Sequence, residues 1–179
     1  MHHSQHISAG DKAIALHDKV QALLAEHLGA ALLRSQIDYD FPVFVVEKQR
    51  ILECLQLLKD DASTKFAFLT TMCGAHFPDA GDAEFMMMYQ LHNLHTNERI
   101  RIKTFMSEKD IELPTATELW AGANWMEREA FDFYGFRFKG HPDLRRILNM
   151  DEMDYHPMRK QYALEDGSRD DKNDLYFGR

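Results

Sequence analysis

Apolar side chains recur every three or four residues along three stretches of the chain, which is the spacing that places them on one face of an α-helix. The pattern predicts a first helix over 11–28 and a second over 47–59. A third helix is predicted to begin at Thr115, because Glu118 three residues later completes a capping box, and to end at Gly135. Its apolar stripe consists of Leu119, Ala123, Met126, Ala130 and Phe133.

Between these helices the apolar period falls to two, which is typical of strands with one buried face. Strands are therefore predicted at 32–38, 41–46 and 66–72, followed by a hairpin with arms at 85–94 and 99–105. In the last arm Ile100 and Ile102 alternate with cationic residues. This arm is predicted to bury one face and to turn the other towards water or a partner.

The order α-β-β-α-β-β-β-α indicates an α+β fold in which helices pack on a mixed or antiparallel sheet. We predict a flexible N-terminus over 1–10, an α+β domain over 11–139, and an extended C-terminal arm over 140–179. The arm has no sustained period, yet it carries scattered apolar side chains that a purely solvating tail would not need. They are Leu144, Ile147, Leu148, Tyr155, Tyr162, Tyr176 and Phe177. This favours an arm that lies extended on partner subunits.

Composition removes several classes of protein. The 179 residues include 29 acidic and 21 basic side chains, a net charge of −8 that argues against a nucleic-acid surface. No apolar run approaches the roughly 20 residues that a membrane-spanning helix needs. Cys54 and Cys73 cannot supply the four ligands of an iron–sulfur cluster, and they offer no disulfide framework, as expected of a reducing compartment.

Candidate chemistry is sparse. His76, His92 and His95 could form a metal set, but residues three apart in a strand face opposite ways and zinc-like partners are missing. The uncharged surroundings of Cys73 favour a buried structural thiol over a nucleophile. The Met86-Met87-Met88 run is explained by packing across a strand.

The third helix carries a cluster of charges, namely Glu127, Arg128, Glu129 and Asp132. Arg128 and Asp132 are four residues apart and are spaced to pair on a helix. Taken alone, the cluster is interpreted as a solvated charged face rather than a site, because isolated surface pairs are common and weak. Composition and spacing therefore give no catalytic centre and favour an interaction protein.

Three segments nevertheless form a specific signature. They are Trp125-Met126-Glu127-Arg128-Glu129-Ala130-Phe131-Asp132-Phe133-Tyr134-Gly135-Phe136, then Gly140-His141-Pro142-Asp143-Leu144-Arg145-Arg146-Ile147-Leu148, then His156-Pro157-Met158-Arg159-Lys160. The signature resembles that of the 30 kDa subunit of respiratory complex I, also called its C subunit, in the unfused form. The resemblance covers roughly 30–165. Tyr155 and Gln161 depart from the usual pattern, where Gly and Asp stand.

The resemblance implies a cofactor-free structural subunit in the hydrophilic arm of a proton-translocating NADH:quinone oxidoreductase. Such a subunit would hold the quinone-site D subunit and the iron–sulfur B and I subunits as part of a hetero-oligomer. FMN and iron–sulfur clusters would lie in partner subunits of the complex. The expected location is the cytoplasmic face of the bacterial inner membrane, with no membrane span in this chain.

The resemblance also implies roles for motif residues. Glu127, Arg128, Glu129 and Asp132 would form a network at the helix end, and Gly135 and Gly140 would permit tight turns. Asp143, Arg145 and Arg146 would hold the elbow and the partner through charge-assisted bonds. The other interface positions implied by the motif are His141, Pro142, Leu144, His156, Pro157, Arg159 and Lys160.

Two alternatives stay open at this point. One is the equivalent scaffold subunit of a membrane-bound hydrogenase or formate hydrogenlyase, whose motif is shared in outline. The other is a small stand-alone enzyme that uses His76, His92 or Cys73.

Overall fold

The structure, a computed structural model, describes residues 10–163, so the predictions for 1–9 and 164–179, including Tyr176 and Phe177, lie outside it. Three helices and seven strands follow one another along this part of the chain. In order they are α1 (Asp11–Leu28), β1 (Leu32–Asp38), β2 (Phe41–Val46), α2 (Ile51–Asp60), β3 (Phe68–His76), β4 (Phe85–Asn93), β5 (Glu98–Met106), β6 (Glu112–Pro114), α3 (Ala123–Tyr134) and β7 (Arg137–Lys139).

The main sheet has five strands in the order β1-β2-β5-β4-β3. Strands β2 and β5 run parallel, whereas the other neighbouring pairs are antiparallel. A second, two-stranded parallel sheet joins β6 to β7. The predicted α+β fold with helices on a mixed sheet is therefore confirmed. Within residues 10–163, none of the helices is long and apolar enough to cross a bilayer.

The core lies on one side of the main sheet, which we call the inner face. Alternate side chains of β2, β4 and β5 point into it, as the period of two requires. The buried apolar faces of all three helices pack against these side chains. The largest fully buried side chains are Tyr89, Phe44, Phe66, Phe85 and Phe136.

Periodicity predicted several bounds correctly. The first helix, the first two strands and the hairpin lie where the pattern placed them. The second helix begins later than predicted, at Ile51, because Lys48–Arg50 form a separate short 3₁₀ turn.

The third strand departs from its predicted alternation. It spans Phe68–His76 rather than 66–72, and its pairing with β4 shifts register between Leu69 and Thr71. The irregularity inserts one extra residue, so Leu69 and Met72 both face the core while Phe68 is 45% exposed. On the edge of this strand, the Sδ atom of Met126 accepts the backbone N–H of Met72.

The predicted start of the third helix is wrong. Helix α3 begins at Ala123, not at Thr115, and the segment before it consists of turns. The Thr115 hydroxyl donates to the carboxylate of Glu127, twelve residues away, instead of capping a helix. The end of the helix is confirmed, since Gly135 has a left-handed φ of 83° and donates its N–H to Phe131.

Gly74 lets the elements around β7 and the end of α3 approach the sheet closely. A Cβ atom at this position would lie 2.5 Å from the Phe136 ring and 2.9 Å from the Tyr134 ring. The inner face therefore requires a residue without a side chain at this point.

We expect Gly74→Ala to lower the free energy of unfolding by about 1–3 kcal/mol, because the new methyl group overpacks the site. Gly122→Ala is the matched control, since a Cβ there meets nothing within 4 Å and its φ of −64° suits alanine. Urea denaturation followed by circular dichroism measures both variants. Equal stability of the two would contradict this account of the packing.

Candidate functional site: the elbow held on α3

The buried carboxylate of Asp132 organises the chain that follows α3. Its Oδ2 atom accepts three consecutive backbone N–H groups, from Ile147, Leu148 and Asn149, at 3.1, 2.8 and 2.9 Å. Its Oδ1 atom accepts from the Asn149 amide at 3.0 Å and from Arg146 at 2.7 Å. We call residues 140–163 the elbow, and Asp132 is the group around which the elbow turns.

These donors dominate the electrostatics of Asp132. Burial by itself would raise the pKa of the carboxyl, but the N–H groups of Asn149 and Leu148 and the Arg146 guanidinium hold it far below its usual range. The carboxylate therefore stays ionised across the physiological range of pH.

Arg146 closes the elbow from the other side. One nitrogen of its guanidinium donates to both the carbonyl and the carboxylate of Asp132, at 3.0 and 2.7 Å. The other donates to the carbonyl oxygens of Met153 and Tyr155, at 2.6 and 2.8 Å. A planar fork of this kind fixes direction as well as distance.

Arg128 does not pair with Asp132, as helical spacing had suggested. It donates instead to the backbone carbonyls of Arg145 and Arg146, at 3.2 and 2.9 Å, and its guanidinium lies 5.2 Å from the centre of the Trp125 ring. The side chain thus ties the elbow to the middle of α3.

The interpretation of the helix charges as a solvated face is therefore wrong. Glu127 and Asp132 are fully buried and Arg128 is 8% exposed, because the elbow covers this side of α3. Glu129 alone of the four is exposed. Buried charges of this kind need partners, and the elbow and the preceding loop supply them.

Glu127 holds the loop before α3. Its carboxylate accepts the Thr115 hydroxyl and the backbone N–H of Ala116, both at 2.6 Å. Burial raises its pKa to about 7, and these two hydrogen bonds only partly oppose that rise. The buried ring of His141 lies beside it, with Nε2 4.0 Å from the carboxylate and 3.2 Å from the carbonyl oxygen of Asn124.

His141 is held as one tautomer by the start of the elbow. Its Nδ1 atom accepts the backbone N–H of Asp143 at 3.0 Å, so in the neutral ring Nε2 carries the proton and donates to Asn124. The turn at Gly140 has a φ of 86°, as expected of a glycine that permits a tight turn. Asp143 and Arg145 pair with each other at 2.9 Å on the surface.

A second set of contacts fastens the far end of the elbow. His156 donates to the carbonyl of Asp132 at 3.0 Å, and Arg159 donates to the carbonyl of Tyr134 and to Glu108, at 2.8 and 2.7 Å. A Cβ at Gly135 would lie 2.7 Å from the His156 ring, so this turn also requires glycine.

His76, on strand β3 of the main sheet, also contacts the far end of the elbow. Its Nδ1 atom accepts the backbone N–H of Lys160 at 2.9 Å, and its ring stacks on Phe85 at 4.4 Å. Burial and the nearby Arg159 guanidinium lower the pKa of His76, which keeps the accepting lone pair free.

The remaining motif residues lie at the surface or partly below it. Leu144 packs against the core, and Pro157 is half-buried. The side chains of Pro142 and Lys160 are exposed. The predicted boundary at 139 therefore separates segments that share one hydrogen-bond network.

The stand-alone candidates are not brought together. His92 bonds to Asn97 at 3.0 Å, away from His76, and Cys73 is exposed, so the prediction of a buried thiol is wrong. Cys54 is the buried thiol. Across residues 10–163, no three histidine, cysteine or acidic side chains gather as a metal site would require.

Sequence reasoning missed Thr115, Asn149 and His76 as parts of this network. Each is an ordinary residue in its local pattern and acquires its role from a partner 12, 17 or 84 positions away. Such pairs become visible only in the three-dimensional structure, because the spacing of residues along the sequence does not indicate them.

Comparison with known proteins identifies the family. A sequence profile described as the 30 kDa subunit of respiratory-chain NADH dehydrogenase matches residues 44–168. The C subunit of NADH-quinone oxidoreductase from Azorhizobium caulinodans is 39% identical over 145 residues, which are 79% of this chain and 68% of that protein. The corresponding protein of Citrifermentans bemidjiense is 41% identical over 125 residues, 70% of this chain and 76% of that one.

Two solved structures have a similar fold. A trypsin-resistant fragment of Nqo5 superposes with a TM-score of 0.61 at 28% identity, covering 70% of this chain and 99% of the fragment. A chain of an archaeal membrane-bound sulfane sulfur reductase has a TM-score of 0.68 and covers 84% of this chain and 86% of its own length, but at 19% identity it shows the fold alone.

The profile and these relatives thus define the chain as a subunit of a respiratory-chain NADH dehydrogenase. The chain belongs to the 30 kDa subunit family of respiratory-chain NADH dehydrogenase, whose curated members are called the C subunit of NADH-quinone oxidoreductase.

We expect Asp132→Asn to cost about 3–5 kcal/mol in the free energy of unfolding, because it leaves buried donors without an anion. Glu129→Gln is the matched control on the exposed side of the same helix, and it should change stability by less than about 0.5 kcal/mol. Urea denaturation measures both. Amide hydrogen exchange should also show lost protection at Ile147, Leu148 and Asn149 in the first variant only. Retained protection there would contradict the assigned role.

Glu127 should make the protein less stable as pH rises. The folded state keeps a proton up to about pH 7 that the unfolded carboxyl releases near pH 4.5, so the free energy of unfolding falls with pH across that window. Glu127→Gln removes this effect. Its stability relative to the wild type should increase between pH 5 and pH 8, by at most about 1.4 kcal/mol per pH unit. Parallel stability curves for the two proteins would exclude the raised pKa.

Proposed function

We propose that this chain is a cofactor-free structural subunit of the hydrophilic arm of a proton-translocating NADH:quinone oxidoreductase. In this proposal it holds the quinone-site D subunit and the iron–sulfur B and I subunits, within a complex that carries electrons from FMN through iron–sulfur centres to quinone. It has no catalytic centre of its own and lies peripherally at the cytoplasmic face of the bacterial inner membrane. Membership of the 30 kDa subunit family supports this assignment.

One observation carries the structural part of the proposal. The elbow is fixed from inside by buried charges, while large apolar side chains on it point outwards. Leu148 is 68% exposed and Met150 is 70% exposed, and further exposed apolar side chains lie along the same segment. These are Tyr155, Met158 and Tyr162. Clustered exposed apolar side chains of this kind mark surfaces that bind other proteins.

The two features together suit a docking segment. A segment without helices or strands would normally lose much conformational entropy on binding. Here Asp132, Arg146 and Arg128 have already ordered the backbone, so less entropy remains to be lost. The motif charges thus contribute to assembly indirectly, by presenting the apolar side chains of the elbow in one arrangement.

Affinity purification of the full chain from its native membranes tests the proposal. We expect the quinone-site and iron–sulfur subunits of an NADH:quinone oxidoreductase to accompany it, and the purified chain alone to be colourless and redox-silent. Recovery of hydrogenase subunits would establish the hydrogenase alternative instead. A flavin or cluster bound to the isolated chain, or an activity that Cys73→Ser or His92→Ala abolishes, would contradict the structural role.

We expect Leu148→Asp and Met150→Asp, alone or together, to reduce incorporation into the complex at least tenfold while leaving the melting temperature of the chain unchanged. Each places a charge on the outward side of the elbow, where no core contact is lost. Leu94→Asp is the matched control, because Leu94 is 62% exposed at the tip of the β4–β5 hairpin. Native gels of membrane extracts measure incorporation. Equal incorporation of all variants would remove the elbow from the interface.

A further inference from the structure

The main sheet has an outer face, opposite the helices, whose composition differs from that of the whole protein. Four cationic side chains and one carboxylate point outwards from its strands, in a chain whose net charge is −8. They are Arg34, Arg99, Arg101, Lys103 and Asp38. Lys103 lies 3.8 Å from Asp38, and Arg101 lies 5.3 Å from the centre of the Phe41 ring.

An apolar row borders this cationic area. Register pairs Phe105 with Met86 and Met86 with Ala75, so these three side chains cross the outer face side by side. The next row contains Lys103 and Met88 and ends at the exposed thiol of Cys73. Cationic and apolar groups therefore lie next to each other on one surface.

Within residues 10–163 no helix covers this face, although Val43 and Val45 in its middle are themselves buried, at 1% and 5% exposure. The buried side chains of α1, α2 and α3 belong to the core on the inner face, and the core includes none of the outward methionines or cations. Met86, Met88, Phe105 and Lys103 all remain partly exposed. Five strands about 4.8 Å apart present roughly 600–700 Å² here, close to the approximately 800 Å² per partner of a stable interface.

We propose that the outer face is a second docking surface, which binds an acidic, partly apolar surface of another subunit of the complex. Charge complementarity identifies this occupant: four cations against one carboxylate leave the face with a cationic excess that favours carboxylates opposite it, and the methionine and phenylalanine row favours apolar contact beside those carboxylates. The surface is separate from the elbow, so the chain contacts its complex on two sides. This inference rests on the proposed function.

The native thiol of Cys73 reports on this face directly. We expect maleimide to modify Cys73 in the isolated full-length chain at pH 8, and to do so at least tenfold more slowly in the assembled complex. Cys54 is the internal control, because it is buried and its pKa is raised well above the ordinary range. It should react in neither state until the protein is unfolded. Mass spectrometry assigns the modified residue.

Charge reversal provides the second measurement. Arg34→Glu and Lys103→Glu should each weaken incorporation into the complex about tenfold or more. Lys12→Glu makes the same charge change on the exposed side of α1 and should have no effect. Circular dichroism and melting temperature confirm that each variant is folded before its incorporation is compared.

Each remaining outcome overturns the proposal. Cys73 that reacts equally fast in the isolated chain and in the complex shows an uncovered face. If Cys73 is already protected in the isolated chain, something other than a partner subunit covers the face. Restored reactivity after truncation would identify a terminal segment of this chain as the cover. Protection that appears only when the chain dimerises would identify a second copy. In all of these cases normal incorporation of the wild-type chain would leave the proposed function intact.

Discussion

The structure beyond the sheet depends on one buried anion. The carboxylate of Asp132 replaces the hydrogen-bonding partners that a helix or strand would give to three consecutive N–H groups of the elbow. Buried backbone donors need acceptors, and this segment has no ladder of its own to supply them. The carboxylate also compensates the buried Arg146 guanidinium. Removing the anion therefore affects backbone and side chain together.

Helix α3 acts as the centre to which separate segments are joined. Glu127 near its start holds the loop at Thr115 and Ala116, while Asp132 near its end holds the elbow. The two carboxylates differ in environment. One has two donors and a raised pKa, and the other has five hydrogen bonds and a lowered pKa. Of the two buried carboxyls of the helix, one therefore titrates near neutrality and the other does not.

The sequence predicts those parts of the fold that depend on patterns within one segment. The bounds of α1, β1 and β2 and the β4–β5 hairpin follow from periodicity within each segment, and they were predicted correctly. The start of α3 was predicted wrongly. Thr115 and Glu118 have the spacing of a capping box, but the Thr115 hydroxyl donates instead to the distant carboxylate of Glu127. The three-residue strands β6 and β7 are too short to show a period. The elbow network links α3 to residues 14–25 positions later, beyond the reach of spacing rules, and only family resemblance indicated it.

The parallel pairing of β2 with β5 has a consequence for the order in which the chain folds. It joins Val43 to Arg101 across 58 residues, whereas the two hairpins and the contacts of Asp132 connect segments close in sequence. Distant pairings pay the largest loop-closure entropy and are expected to form late. Until that step, the cations of β1 and those of β5 belong to separate, unjoined hairpins. The complete charged surface therefore exists only in the fully folded chain, which ties recognition by partners to the completion of folding.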